Sequence, residues 1–352
     1  MAKIGLVLSG GGAKGAYQVG VVKALLEKNV AMDCIAGTSI GALNGSILAS
    51  APDLTAGFER LEKVWQRISE IKPLQGHATS GYVTMLLPYL VLLASSGLKL
   101  NPYWKIISPL AAKLLQTQLP TPDSLLTDKP LQDLMTQFLD WSQLQQSIPL
   151  YVSVFEQENY ALDSVKYLGS ALLGIDNRPS RFVHIQSLPL AQQKETILAS
   201  SALPLIFQSR QDEDGKRLTD GGQGGALKSQ GNTPITPLIE QEACDCVIVS
   251  HLEQCTLFSR HDFPQTTCIE IRPNAELDMG LKATFDFSAE KIQQLQQAGY
   301  QDTLLVLDDI QPALSVLHEK RNVNQRLANA MEKQDSQQKM QDAMRRLQSK
   351  KE

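Results

Sequence analysis

The apolar positions of this chain fall into short runs separated by glycine, proline and polar residues, and each run has the length or period of one element. Ile4-Gly5-Leu6-Val7-Leu8 is an apolar run of strand length, and residues 16–28 follow it with apolar positions at helical spacing. Residues 32–36 read as a short buried strand, and residues 42–49 as a helix of small residues. Phe58, Leu61, Val64, Trp65 and Ile68 recur every three or four positions with charges between them, which predicts an amphipathic helix over 53–71. Helical spacing returns at 131–144. Strands are expected at 148–154, 182–186, 217–219, 246–251 and 268–271. Asp286-Phe287-Ser288 offers a cap for a helix that begins at Ala289, with Gly299 as a candidate stop. Strands alternating with helices predict an α/β fold of three layers, a mostly parallel central sheet flanked by helices.

Two stretches break this rhythm. Residues 72–125 look like a helical insertion. Within it 83–98 is strongly apolar but is interrupted by Pro88 and closed by Ser95-Ser96-Gly97, too short and broken for a membrane span. Residues 99–115 then mix Tyr103, Trp104, Lys105 and Lys113 with aliphatics. A buried helical hairpin and a lid or membrane-contact segment are equally open for 83–115. From 311 onward the chain is rich in Gln, Lys and Arg and reads as a solvated helical tail. The expected organisation is therefore one domain over 1–310, carrying the insertion, and a tail over 311–352.

Composition narrows the class without deciding it. The 352 residues are 43% hydrophobic, enough for a sizeable core, and 33 Lys and Arg against 37 Asp and Glu leave a net charge of −4. Bulk charge thus gives no reason to expect nucleic acid as a partner. The five cysteines, Cys34, Cys244, Cys246, Cys255 and Cys268, lie mostly in strand-like runs and read as reduced core residues in a cytoplasmic protein. Cys244-x-Cys246 has no further Cys or His at ligand spacing, so no metal is expected. The N-terminal run is expected to be a first strand and not a leader.

The candidate chemistry sits at the ends of the first two strands. Gly10-Gly11-Gly12-Ala13-Lys14-Gly15 joins the first strand to its helix, where converging backbone N–H groups and the helix dipole make an anion cradle. Gly37-Thr38-Ser39-Ile40-Gly41 joins the second strand to the next helix and fits a nucleophile elbow, with Ser39 at the apex of a sharp turn. Gly10-x-Gly12-x-x-Gly15 also matches a dinucleotide fingerprint. That reading needs an acidic residue at the end of the second strand, whereas Asp33 stands at its start. An oxyanion hole built from the glycine loop for an ester attacked by Ser39 accounts for both motifs.

With these two motifs in order, and with Asp220-Gly221-Gly222, Asn232-x-Pro234 and the run 197–207 downstream, the chain resembles the patatin-like phospholipases. The resemblance implies a patatin-like fold and a serine lipid acyl hydrolase of the phospholipase A type, acting on glycerophospholipids. It implies a Ser-Asp dyad: Ser39 as nucleophile, Asp220 as the group that takes or positions its proton, and Gly10, Gly11 and Gly12 as the oxyanion loop. Lys14, Gly15, Gly37, Gly41, Gly221 and Gly222 support these motifs. Lys14 stands where arginine is commoner in the family. None of His77, His184, His251, His261 and His318 has a recognisable catalytic context, which fits a dyad.

The resemblance also implies a lipid substrate at a membrane surface and no cofactor, in a cytoplasmic protein for which contact with the inner membrane face is left open. Some bacterial members are membrane-damaging effectors switched on by a signal molecule; that role, an activator and homo-oligomerisation stay open. Two other readings remain: a dinucleotide-binding protein, and a regulatory member of the fold that does not turn over.

Overall fold

The computed structural model describes residues 3–71, 129–158, 178–201, 210–224, 231–274 and 277–309, with 319, 323 and 326 described singly. The insertion at 72–125, including 83–115, and most of the tail lie outside these residues.

An eight-stranded sheet forms the middle layer. Its strands are β1 (Ile4–Leu8), β2 (Cys34–Thr38), β3 (Leu150–Gln157), β4 (Arg181–His184), β5 (Arg210–Gln211), β6 (Arg217–Asp220), β7 (Cys246–Ser250) and β8 (Thr267–Ile271). The order runs β5-β6-β3-β2-β1-β7-β8, with β4 also paired to β3. β3, β2, β1, β7 and β8 are mutually parallel, whereas β4 and β6 lie antiparallel to β3. The expected α/β architecture is borne out.

Both faces of β1, β2 and β7 are buried, which is why these strands are largely apolar rather than alternating, whereas β8 at the end of the order alternates in burial. Leu6 and Leu8 of β1, Ile35 of β2 and Ile248 of β7 join the larger core cluster. Val7, Cys34, Ala36, Val247 and Val249 face the other way and pack with Ile235 and Leu238. Cys34 and Cys244 bring their Sγ atoms to 3.2 Å within this second cluster. All five cysteines are free thiols, and Cys255 is exposed rather than buried.

The larger cluster is covered by α1 (Ala16–Glu27), α2 (Ile40–Ala49) and α3 (Leu54–Ile71), where Leu61, Val64, Trp65 and Ile68 supply the buried stripe predicted for the amphipathic helix. The expected helix at 131–144 is instead two, α4 (Lys129–Phe138) and α5 (Trp141–Gln146). Asp140 is the cause: its carboxylate caps α5 by accepting from the Ser142 and Gln143 N–H groups. Further along come α6 (Leu190–Ser200), α7 (Thr236–Glu240), α8 (Leu281–Phe285) and α9 (289–309). Ser288 Oγ accepts from the Lys291 N–H, so the expected cap is present.

Gly299 does not end α9, which continues to residue 309. It serves packing instead. A Cβ on Gly299 would lie 2.0 Å from the Tyr17 carbonyl oxygen, and one on Gly20 would lie 1.9 Å from that of Gln296, so α1 and α9 meet backbone to backbone.

Candidate active site

The parallel strands β1, β2 and β7 all end on one edge of the sheet, where an open α/β sheet holds its ligands. β2 ends at Thr38 opposite Ser153 of β3, and β6 ends at Asp220 opposite Val154. Two strands far apart in sequence therefore stop within one residue of each other along β3. Ser39 follows the first and Asp220 closes the second.

Ser39 has φ 55 and ψ −123, a conformation that costs a non-glycine residue roughly 1–3 kcal/mol. The neighbouring glycines explain how the turn closes. A Cβ on Gly37 would lie 2.4 Å from the Gly41 carbonyl oxygen, and one on Gly41 would lie 2.0 Å from that of Leu8. Hydrogen bonds hold the strained residue from outside: its N–H donates to Ser200 Oγ at 2.9 Å, and Ser200 Oγ donates in turn to the Ser153 carbonyl at 2.7 Å. Ser201 Oγ donates to the Ser39 carbonyl at 3.3 Å. Ser39 is 8% exposed, at the N-terminus of α2.

Asp220 is 3% exposed. Its Oδ1 accepts from the Gly222 N–H at 2.7 Å, while Oδ2 is buried without a hydrogen-bond partner. Burial raises its pKa to about 6; the Gly222 N–H and the nearby Ser39 hydroxyl pull in the opposite direction. Among the hydrogen bonds of the described residues, none joins Ser39 Oγ to Asp220, whose Oδ2 is left unpartnered. Gly221 and Gly222 make the turn after the acid possible, since a Cβ on Gly221 would lie 2.3 Å from Ser153 Oγ and one on Gly222 would lie 3.0 Å from Asp220 Oδ1.

The glycine loop lies against Ser39, since a Cβ on Gly10 would come within 3.0 Å of the Ser39 Cβ. Its three N–H groups are not equivalent. That of Gly10 donates to Asn232 Oδ1 at 3.1 Å, whereas none of the hydrogen bonds among the described residues uses those of Gly11 or Gly12. Gly12 has φ 58, and a Cβ there would lie 2.5 Å from the Thr284 carbonyl oxygen of α8. A Cβ on Gly15 would lie 2.5 Å from Ile40 Cγ1, which sets α1 directly beside α2. Lys14 is buried and ties the loop to its surroundings, donating to Glu253 Oε1 at 2.8 Å and the Met279 carbonyl at 3.4 Å.

A buried polar chain supports the loop from below. Trp65 Nε1 donates to Asn44 Oδ1 at 3.0 Å, Asn44 Nδ2 donates to Gln18 Oε1 at 2.8 Å, and Gln18 Nε2 donates to the Ser9 carbonyl at 2.8 Å. Asn44 Nδ2 also donates to the Gly15 carbonyl at 3.1 Å. Apart from Trp65, which the sequence shows only as part of an apolar helix stripe, no sequence motif marks these side chains or singles out Ser200. The available signal was the presence of polar side chains inside otherwise apolar helices, which α/β packing normally buries only with partners.

No histidine among the described residues hydrogen-bonds Ser39 or Asp220. His184 stacks on Tyr151 with ring centroids 4.9 Å apart, and His251 Nε2 lies 3.2 Å from Glu270 Oε2. His261 is exposed, and His77 and His318 lie outside the described residues. Asp33, the acid that a dinucleotide site would require, accepts from the Ile4 N–H at the start of β1, at the opposite end of the strand from the glycine loop. No group of three or more His, Cys, Asp or Glu side chains among the described residues is arranged to hold a metal ion.

A profile of the family described as patatin-like phospholipase matches residues 6–239. A 68-residue stretch is 47% identical to lysophospholipase nte1 of Aspergillus terreus, covering 19% of this chain and 4% of that protein. A 75-residue stretch is 40% identical to a patatin-like phospholipase domain-containing protein of Caenorhabditis elegans, covering 19% of this chain and 6% of the relative. The aligned stretch is thus a small part of these relatives' own length. Among solved structures, VipD from Legionella pneumophila superposes with a TM-score of 0.38 at 16% identity, over 88% of this chain and 67% of that one. The heterodimeric ExoU-SpcU complex from the type III secretion system of Pseudomonas aeruginosa gives 0.35 at 18% identity, over 87% of this chain and 52% of that one.

Proposed function

The chain belongs to the patatin-like phospholipase family, and from that premise we propose that it hydrolyses acyl esters of glycerophospholipids through an acyl-Ser39 intermediate. The observation that carries this reading is the convergence of a strained serine and a buried, half-unpartnered carboxyl at adjacent strand ends, beside a glycine loop with spare N–H groups.

Ser39 Oγ attacks the ester carbonyl carbon and its proton passes to Asp220. An ordinary aspartate is a weak base, but burial brings this one to about 6, closer to the operating range of a proton acceptor. The carbonyl oxygen gains charge as the tetrahedral species forms. The free N–H groups of Gly11 and Gly12, together with the dipole of α2, supply the stabilisation. Asp220 returns the proton to the departing alcohol oxygen, leaving Ser39 acylated. Water, deprotonated by the same carboxylate, then releases the fatty acid and restores the serine. Lys14 acts at one remove, holding the loop against Glu253.

The test is hydrolysis of phospholipid, lysophospholipid and triglyceride vesicles by the wild type and Ser39→Ala. The variant removes the attacking oxygen and little volume, so its melting temperature stays near the wild-type value while acyl release disappears. Undiminished hydrolysis by Ser39→Ala would exclude the assignment, and the relative rates on the three lipids identify the substrate class.

A further inference from the structure

After the Asp220 turn the chain returns to the site at Gly231, Asn232 and Thr233, and these three residues touch every loop that the proposed chemistry uses. Thr38 Oγ1, just before the nucleophile, donates to the Gly231 carbonyl at 2.7 Å. Gly231 has φ 59 and sits so close to the Asp220 turn that a Cβ on it would lie 2.7 Å from the Gly221 carbonyl oxygen. Thr233 Oγ1 lies 3.5 Å from Ser9 Oγ at the root of the glycine loop.

Between them, Asn232 pairs with Gly10 in both directions. The Gly10 N–H donates to Oδ1 at 3.1 Å, and Nδ2 donates to the Gly10 carbonyl at 3.3 Å. A carboxamide carries the donor and acceptor of a peptide group in one plane. Pairing at both points fixes the rotation of Gly10 as well as its position, whereas a single hydrogen bond would leave a hinge. The loop needs such a restraint, because three consecutive glycines lose more conformational entropy on ordering than any other sequence.

We propose that Asn232 is a positioning residue that sets the glycine loop in register with Ser39. It occupies the N–H and C=O of Gly10, so the loop's remaining donors toward substrate are those of Gly11 and Gly12. The role rests on the hydrolase reading above. It also divides the loop: Gly10 anchors, and the next two glycines stabilise charge. Bringing loop and nucleophile together is worth on the order of 100-fold in rate, the usual consequence of losing or displacing one oxyanion donor.

The experiment compares wild type, Asn232→Ala and Asn232→Asp with a soluble p-nitrophenyl ester and with fluorophosphonate labelling of Ser39. Asn232→Ala is expected to lower kcat about 100-fold with KM within about 3-fold, because the donors it misplaces serve charge that develops in the transition state. Labelling of Ser39 slows in step, while circular dichroism and the urea midpoint show a folded protein. Asn232→Asp keeps the size and the acceptor for the Gly10 N–H but cannot donate to the Gly10 carbonyl when ionised, and it loses at least about tenfold. If Asn232→Ala does not fold, the isosteric Asp variant decides. A folded variant with wild-type kcat, or a loss confined to KM, overturns the positioning role alone. A wild-type protein that fluorophosphonate does not label at Ser39 overturns the hydrolase reading and this role with it.

Discussion

Asp220 is held in a state that its own solvation opposes. Its folded pKa of about 6 stands above the 3.8 of a free aspartate, so the native protein binds a proton more tightly than the unfolded chain does. The stabilising form is therefore the protonated one, fully present below pH 4, and its contribution is lost as pH rises through 6. Two pKa units correspond to about 3 kcal/mol. Asp220→Asn keeps the acceptor for the Gly222 N–H and abolishes the titration. Its stability relative to wild type should thus improve by about 2 kcal/mol between pH 4 and pH 7, most of the full effect, a change that urea melts at the two pH values will measure. Activity has the opposite sign. If the ionised carboxylate receives the Ser39 proton, kcat/KM falls tenfold per unit below pH 6 and is flat above it, and Asp220→Asn loses at least about 100-fold at pH 7. An acid limb near pH 4 instead would mean that burial does not raise the pKa of the titrating carboxyl.

At the scale of elements, α1 and α9 fit backbone against backbone. Gly299→Ala places a methyl group 2.0 Å from the Tyr17 carbonyl oxygen, so α9 has to move away from α1. The expected cost is about 1–3 kcal/mol in urea melts; because Tyr17 lies two residues from the end of the glycine-loop turn, fluorophosphonate labelling of Ser39 should slow as well.

This position also shows what the sequence displays and what it conceals. Ser39, Asp220 and the glycines of the first two turns stand out because strand–turn–helix motifs are local: every residue that makes the turn possible lies within five positions. Gly299 looked like a helix stop because its real constraint comes from a helix almost three hundred residues away. β2 runs from Cys34 to Thr38, two residues further along than the apolar run at 32–36, and its end at Thr38 is held in the sheet by pairing with Ser153. Asp140 was hidden inside an apolar period that ran across a cap. Ser200 stood in a stretch already similar to the family, but its bond to the Ser39 N–H depends on α6 packing over β3.

On the scale of the whole molecule, β1 lies inside the sheet and not at its edge. β1 pairs with β2 on one side, which follows it by about thirty residues, and with β7 on the other, which does not begin until Cys246. Such long-range pairing makes folding slow relative to local assembly. A fragment ending before β6 should remain unlabelled by fluorophosphonate even where α1 and α2 have formed, because it has Ser39 but neither Asp220 nor Asn232; brisk labelling of that fragment would show that the elbow alone activates the serine.

The position of β6 in the chain has a consequence for biogenesis. During synthesis Ser39, the proposed nucleophile, leaves the ribosome some 180 residues before Asp220, the acid proposed to activate it. The Asn232 clamp follows, and then the strand that completes the pairing of β1. If Ser39 and Asp220 act as proposed, a growing chain carries Ser39 without the groups that would arm it, and a product terminated before β6 should release no fatty acid from lipid. On that reading, latency during translation follows from the order of the strands alone.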